Sequence, residues 1–286
     1  MTAATVAAPE SIDLGAELKQ RARRRRLLVW AARLATIVIV IGGWQWFTTL
    51  KIVDPFFFGQ PSGIALKLKD WYQHGTQFGT IWSQVWVTMK EAILGFFVGV
   101  AAGVVVGVLL GSVRFLSDVL SPYIKAVNAL PRIVLGSIFL VSLGLGIASK
   151  VLLAAVLVFF AVFFNAYQGV REVDRGLIAN VRILGASRLQ VIRNVVLPSA
   201  ATWIIASLHV AFGFAIIGAI VGEFLGAQQG LGLVIVSAQN NFDPDGVFAA
   251  MLIIAVIALT AEWLIGLLER RLLSWRPPTH TEVAGI

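Results

Sequence analysis

The chain has 286 residues, of which 58% are hydrophobic and only 13% charged, with a formal net charge of +8. Soluble domains carry roughly 25% charge, so an aqueous fold of this composition could not cover its core with polar surface. The absence of Cys excludes disulfides, thiolate metal sites and a Cys nucleophile, and His74, His209 and His280 lie too far apart for a local zinc motif.

A bilayer core about 30 Å thick needs roughly 20 apolar residues in a helix. Six stretches meet or approach that length: residues 27–50, 92–113, 116–143, 151–170, 199–222 and 247–268. The third is the least clean, with Asp118, Lys125 and Arg132 inside it, and the last holds Glu262. None shows the period-two alternation of a membrane barrel, so the expected fold is an all-α integral membrane protein with six transmembrane helices. The expected organisation is a basic tail over 1–26, a transmembrane domain over 27–272 and a second tail over 273–286. The leading segment does not read as a cleavable signal peptide, because its apolar run is too long.

Lys19, Arg21 and Arg23–Arg26 precede the first stretch, and Arg171, Arg175, Arg182, Arg188 and Arg193 crowd the connection after the fourth. Lys51, Lys67, Lys69 and Lys150 fall in the connections expected outside. This bias places both termini in the cytoplasm. It also explains the positive charge without nucleic acid, the arginine run acting as a topological anchor attracted to anionic lipid. Residues 51–84 read as a short amphipathic helix on the outer surface, over Ile64 to Tyr72, with an aromatic belt.

Gly95, Gly99, Gly103, Gly107 and Gly111 recur every fourth residue of the second stretch. Successive members turn by about 40° on a 3.6-residue helix, forming one slowly winding groove for a neighbouring helix. Arg132, Asn165, His209 and Glu223 are polar groups within apolar stretches and are candidates for a substrate pathway. For Glu223, capping of a short outer helix beginning near Gly230 is an equal alternative.

The inner connection, residues 171–198, is amphipathic and helical in period, with Leu177, Ile178, Val181 and Leu184 in one half and Val191, Ile192, Val195 and Val196 in the other. Gly185 separates the halves, Ser187 with Gln190 makes a capping-box pattern, and Pro198 suits a first helical turn. The expectation is helix, sharp turn, helix, with an apolar stripe that wants a partner.

This segment resembles the coupling loop of binding-protein-dependent ABC importer permeases, in which a glycine follows an EAA triplet and a Leu-Pro pair closes the motif. Gly185, Val195, Leu197 and Pro198 fall at matching positions, whereas Ala179-Asn180-Val181 replaces the triplet and lacks its acid. Gly185-Ala186-Ser187-Arg188 is similar to the nitrate, sulfonate and taurine branch, as are Gly222-Glu223-Phe224-Leu225-Gly226-Ala227 and Leu267-Leu268-Glu269-Arg270-Arg271. The resemblance implies the type I ABC importer permease fold in a bacterial inner membrane. It implies a loop that docks on a partner ATPase dimer binding the ATP and Mg, a periplasmic or lipid-anchored substrate-binding protein, and a second copy of this chain. It implies no catalysis and no cofactor in the chain itself. The sequence accords with that passive role, having no Gly-Lys pair and hence no phosphate-cradling P-loop. The runner-up is a secondary transporter or channel, a class that favours inverted repeats, and none relates residues 27–143 to 151–272.

Overall fold

The computed structural model describes residues 14–272 and is helical throughout apart from its connections. Residues 1–13 of the expected first tail (1–26) and all of the second (273–286) lie outside the described residues. Two compact units separate between Gly63 and Ile64.

The first unit holds α1 (Leu14–Thr49) and the single-turn α2 (Pro55–Phe58). Residues 14–26 are therefore not a separate tail but the opening turns of α1, continuous with the first apolar stretch. At the far end of α1, Gln45 Oε1 accepts from the Ser62 N–H at 3.0 Å, and Asp54 caps α2 by accepting from the Phe56 N–H.

The second unit begins within α3 (Pro61–Gln73), whose Ile64 and Trp71 are buried while Leu66 and Tyr72 are exposed. Its centre is made by α4 (Ile81–Ser112), α7 (Ile147–Arg171) and α10 (Leu197–Leu225). The five glycines of α4 all face α7. A Cβ at Gly99 would stand 2.6 Å from the Ala155 carbonyl oxygen, and one at Gly107 would stand 2.7 Å from the Ala166 Cβ. Small residues let the two backbones touch, and close packing is the main attraction between helices in lipid. Gly218 of α10 abuts the Ala154 backbone of α7, the same residue that Gly95 meets. Ala92, Val158, Val162, Ala211 and Ala215 complete this core. The unit closes with α11 (Leu231–Asn240) and α12 (Pro244–Leu272), the latter exposing Leu252, Val256, Leu259 and Trp263 along its length.

The third apolar stretch is not one straight helix. It consists of α5 (Arg114–Ala129) and α6 (Arg132–Leu143), meeting at 86°. Pro131 at the junction cannot donate a backbone hydrogen bond and forces Leu130 into an extended conformation, so the helix must break. Among the described residues, five helices are long and apolar enough to cross a membrane, or six if this bent pair counts as one span.

Candidate coupling loop and polar groups of the membrane helices

The inner connection begins where Asp174 ends the turn after α7 and caps α8 (Arg175–Ile183), its Oδ1 accepting from the Gly176 N–H at 2.7 Å. At the other end of α8 the Gly185 N–H donates to the Arg182 carbonyl and the Ala186 N–H to the Val181 carbonyl. This paired arrangement needs a left-handed residue, and Gly185 has φ +88°. The next helix, α9 (Arg188–Val191), opens with a complete capping box. The Gln190 N–H donates to Ser187 Oγ at 3.3 Å, and the Ser187 N–H donates to Gln190 Oε1 at 2.8 Å.

Beyond α9 the chain departs from the expected second helix and separate span. Residues 192–196 form a single π-turn, in which the Leu197 N–H reaches back to the Ile192 carbonyl, and the helix runs on without a break into α10. Pro198 accounts for this widening: it has no N–H and its ring crowds the carbonyl four residues earlier. The apolar stripe is also divided differently from the sequence pattern. Val191, Val195 and Val196 are buried against Val170, Val173 and Ala200 of their own chain, with Ile178, Val181 and Ala186 packed beside them. The most open apolar groups are Ile183 at 83%, Leu184 at 85% and Leu189 at 73% exposure, flanking Gly185 at the turn, with Leu177 and Leu197 also exposed. Ala179 and Asn180, in the triplet position, are exposed too.

None of the four candidate pathway residues is hydrogen-bonded to another. Arg132, in the first turn of α6, donates to Asn128 Oδ1 at 2.5 Å and lies over the Phe160 ring at 5.0 Å. Asn165 bonds its own helix at the Ala161 carbonyl. His209 Nε2 meets Glu269 Oε2 at 2.8 Å, tying α10 to α12.

Glu223 faces the interior of its own chain. It is 1% exposed and accepts from the Thr88 hydroxyl at 2.7 Å and from the Gly232 N–H at 2.5 Å. Thr88 Oγ1 in turn accepts from the Leu231 N–H, and Gln84 Oε1 from the Gly230 N–H. The start of α11 is thus satisfied by three side chains from α4 and α10, with Glu223 in the capping arrangement. Glu91 and Lys150 join the same buried region, with Lys150 Nζ donating to the Leu145 and Gly146 carbonyls. Lys150 is therefore not an outer-loop charge but a buried cation in the first turn of α7. Gln84, Thr88 and Glu91 escape a reading by apolar run, because that run opens at Ala92 whereas the helix starts at Ile81. Their spacing on one helical face is the signal that could have found them.

Several helices long and apolar enough to cross a bilayer, joined by a helix–glycine–helix connection with bare apolar groups at its turn, define an integral membrane protein. Residues 99–274 match the family described as binding-protein-dependent transport system inner membrane component, and the chain belongs to that family. It is similar to the riboflavin transport system permease protein RibX of Chloroflexus aurantiacus, at 36% identity over 163 residues, covering 57% of this chain and 61% of that relative's length. Its likeness to the putative aliphatic sulfonates transport permease protein SsuC of Bacillus subtilis is more extended, at 30% identity over 261 residues, 91% of this chain and 93% of SsuC. In fold it is similar to the inward-facing MetNI methionine ABC transporter, with a TM-score of 0.59 and 20% identity over 68% of this chain and 96% of that one. The protein is a multi-pass component of the bacterial inner membrane.

Proposed function

We propose that this chain is the permease subunit of an ATP-driven importer, working as a homodimer with two copies of a separate ATPase and a periplasmic or lipid-anchored binding protein. Six spans, counting α5 and α6 as one, leave both termini and residues 171–198 in the cytoplasm. The substrate is a small organic or inorganic solute of the sulfonate, taurine or nitrate kind, delivered by the binding protein. Arg132 and Asn165 remain the candidates for lining the pathway, with His209 as a contact between helices.

The observation that carries this reading is the turn at Gly185. A left-handed glycine and a complete capping box fix the angle between α8 and α9, and they hold Ile183, Leu184 and Leu189 outward where an ATPase groove would receive them. A Cβ at Gly185 would meet no atom within 4 Å, so a substitution there acts through the backbone alone. A β-branched residue resists φ > 0, and the strain is about 1–3 kcal/mol. Gly185→Val should therefore distort the turn while leaving the core intact. In complexes reconstituted with the binding protein, the variant is expected to lose stimulation of ATP hydrolysis by loaded binding protein. Full stimulation would remove the coupling role from this turn.

A further inference from the structure

At the inner ends of α4 and α7, beneath α8 and α9, lies a cavity of about 390 Å³. Its lining includes the guanidinium-bearing Arg114, Arg182 and Arg188 together with Val170, Val191 and Val196. The three valines are buried, so the cavity has an apolar floor and a basic rim. The arginines come from three separate elements: the first turn of α5, the last turn of α8 and the first turn of α9. None of the three guanidinium groups makes an ion pair or hydrogen bond with another described residue. Of the acids near them in sequence, Glu172 accepts from Gln168 and Asp174 caps α8, while Asp118, one turn beyond Arg114 on α5, forms no ion pair with it. In addition, α5 starts at this cavity with no side chain capping its first turn, so its N-terminal N–H groups add positive potential beside Arg114.

The three arginines are exposed at the rim of one cavity, where an anion could meet more than one guanidinium. Guanidinium matches phosphate geometrically, through paired charge-assisted hydrogen bonds. The cavity is bordered by the ends of α4 and α7, two helices long and apolar enough to cross a bilayer, and basic pockets between such helix ends on the cytoplasmic side suit anionic headgroups. Its valine floor suits the apolar part of the same molecule. Leu184 and Leu189, the bare groups at the loop turn, do not line it. We infer that this cavity binds a phosphate group, supplied by an anionic phospholipid of the inner leaflet, between Arg114, Arg182 and Arg188. The lipid then bridges the α4–α5 junction and the coupling loop. The inference rests on the importer reading only for the leaflet it names.

The test uses the full chain purified in a neutral detergent and examined by native mass spectrometry with dioleoyl phosphatidylglycerol, dioleoyl phosphatidylcholine or inorganic phosphate added. Phosphatidylglycerol should be retained in preference to phosphatidylcholine, and inorganic phosphate should compete with it. Arg114→Gln and Arg182→Gln should each lower that retention about fivefold, and the double variant about thirtyfold, from the contribution of one basic group at a membrane surface. Arg193→Gln, which removes a charge from the same loop outside the cavity, should leave it unchanged. Equal retention of the two lipids, or an equal loss in Arg193→Gln, would overturn the site. Binding of inorganic phosphate without retention of phosphatidylglycerol would overturn the lipid as its source. If the two cavity variants weaken binding of the purified ATPase and leave lipid retention untouched, the arginines serve acidic groups of the ATPase and the inference fails. Because the chain has no Cys, Ser187→Cys and a membrane-impermeant thiol reagent report separately on which side the loop lies.

Discussion

Replacing Gly99 by Ala adds one methyl group at the tightest kind of place in this fold. The Ala155 carbonyl oxygen and the Val158 Cβ both lie 2.6 Å from where the new Cβ would be. Neither is the end of a flexible side chain, so ordinary contact at about 3.4 Å requires α4 and α7 to part by roughly 0.8 Å. A gap of that size forfeits about a quarter to a half of the dispersion energy of each contact along the seam, including those at Gly103 and Gly107. Overpacking of a filled core typically costs about 1–3 kcal/mol, and here lipid supplies no hydrophobic term to offset it. The folded-to-unfolded ratio should therefore fall by about fivefold to a hundredfold or more. The assay is equilibrium unfolding of the purified chain in mixed micelles as the SDS fraction rises, followed by fluorescence of its nine Trp. Gly42→Ala is the control, since a Cβ there meets nothing within 4 Å. The double variant Gly99→Ala/Gly103→Ala should cost less than the sum of its parts, because one displacement relieves both clashes. If Gly99→Ala unfolds at the same SDS fraction as Gly42→Ala, the glycine seam does not hold α4 to α7.

Thr88→Val keeps the shape of the side chain but strands the Leu231 N–H and removes a donor from Glu223, so stability in the same titration should fall by about 1–3 kcal/mol, with Thr88→Ser close to the parent. Arg132→Gln keeps a donor near Asn128 and deletes the charge over Phe160. In a reconstituted importer, uptake of an anionic substrate should then drop about fivefold or more while ATP hydrolysis persists, and unchanged uptake would make Arg132 a packing residue. Native mass measurement of the assembled importer should find two copies of this chain, and a single copy beside a paralogue would refute the homodimer.

The parts of this molecule legible in the sequence are those with a short period or a fixed spacing. The four-residue glycine recurrence of α4 specified a face, and the facing helix proved to be α7. Ser187 and Gln190 specified a helix start, and Gly185 a left-handed turn. Less legible were features that depend on where a helix end meets another element. Pro131 was visible, yet whether it kinks or breaks a helix is decided by neighbours, and here it turns the chain through 86°. Lys150 reads as a loop charge when apolar runs are bounded at charges, whereas its aliphatic stem is buried and only the ammonium seeks carbonyls. Val191 and Leu189 look alike as apolar neighbours in a loop, and only packing separates the buried one from the exposed one.

The unbroken helical path from Arg188 to Leu225 spans 38 residues, or about 57 Å at 1.5 Å per residue. One end of this rod carries the loop beside Gly185, and the other carries Glu223, which grips the first turn of α11. Nothing along it resembles a loop hinge. Its compliance is concentrated in the π-turn at residues 192–196, where the hydrogen-bond ladder is already widened. A tilt imposed at the loop is therefore either absorbed within those five residues or delivered to α11 at the opposite end of the rod, in a single mechanical step.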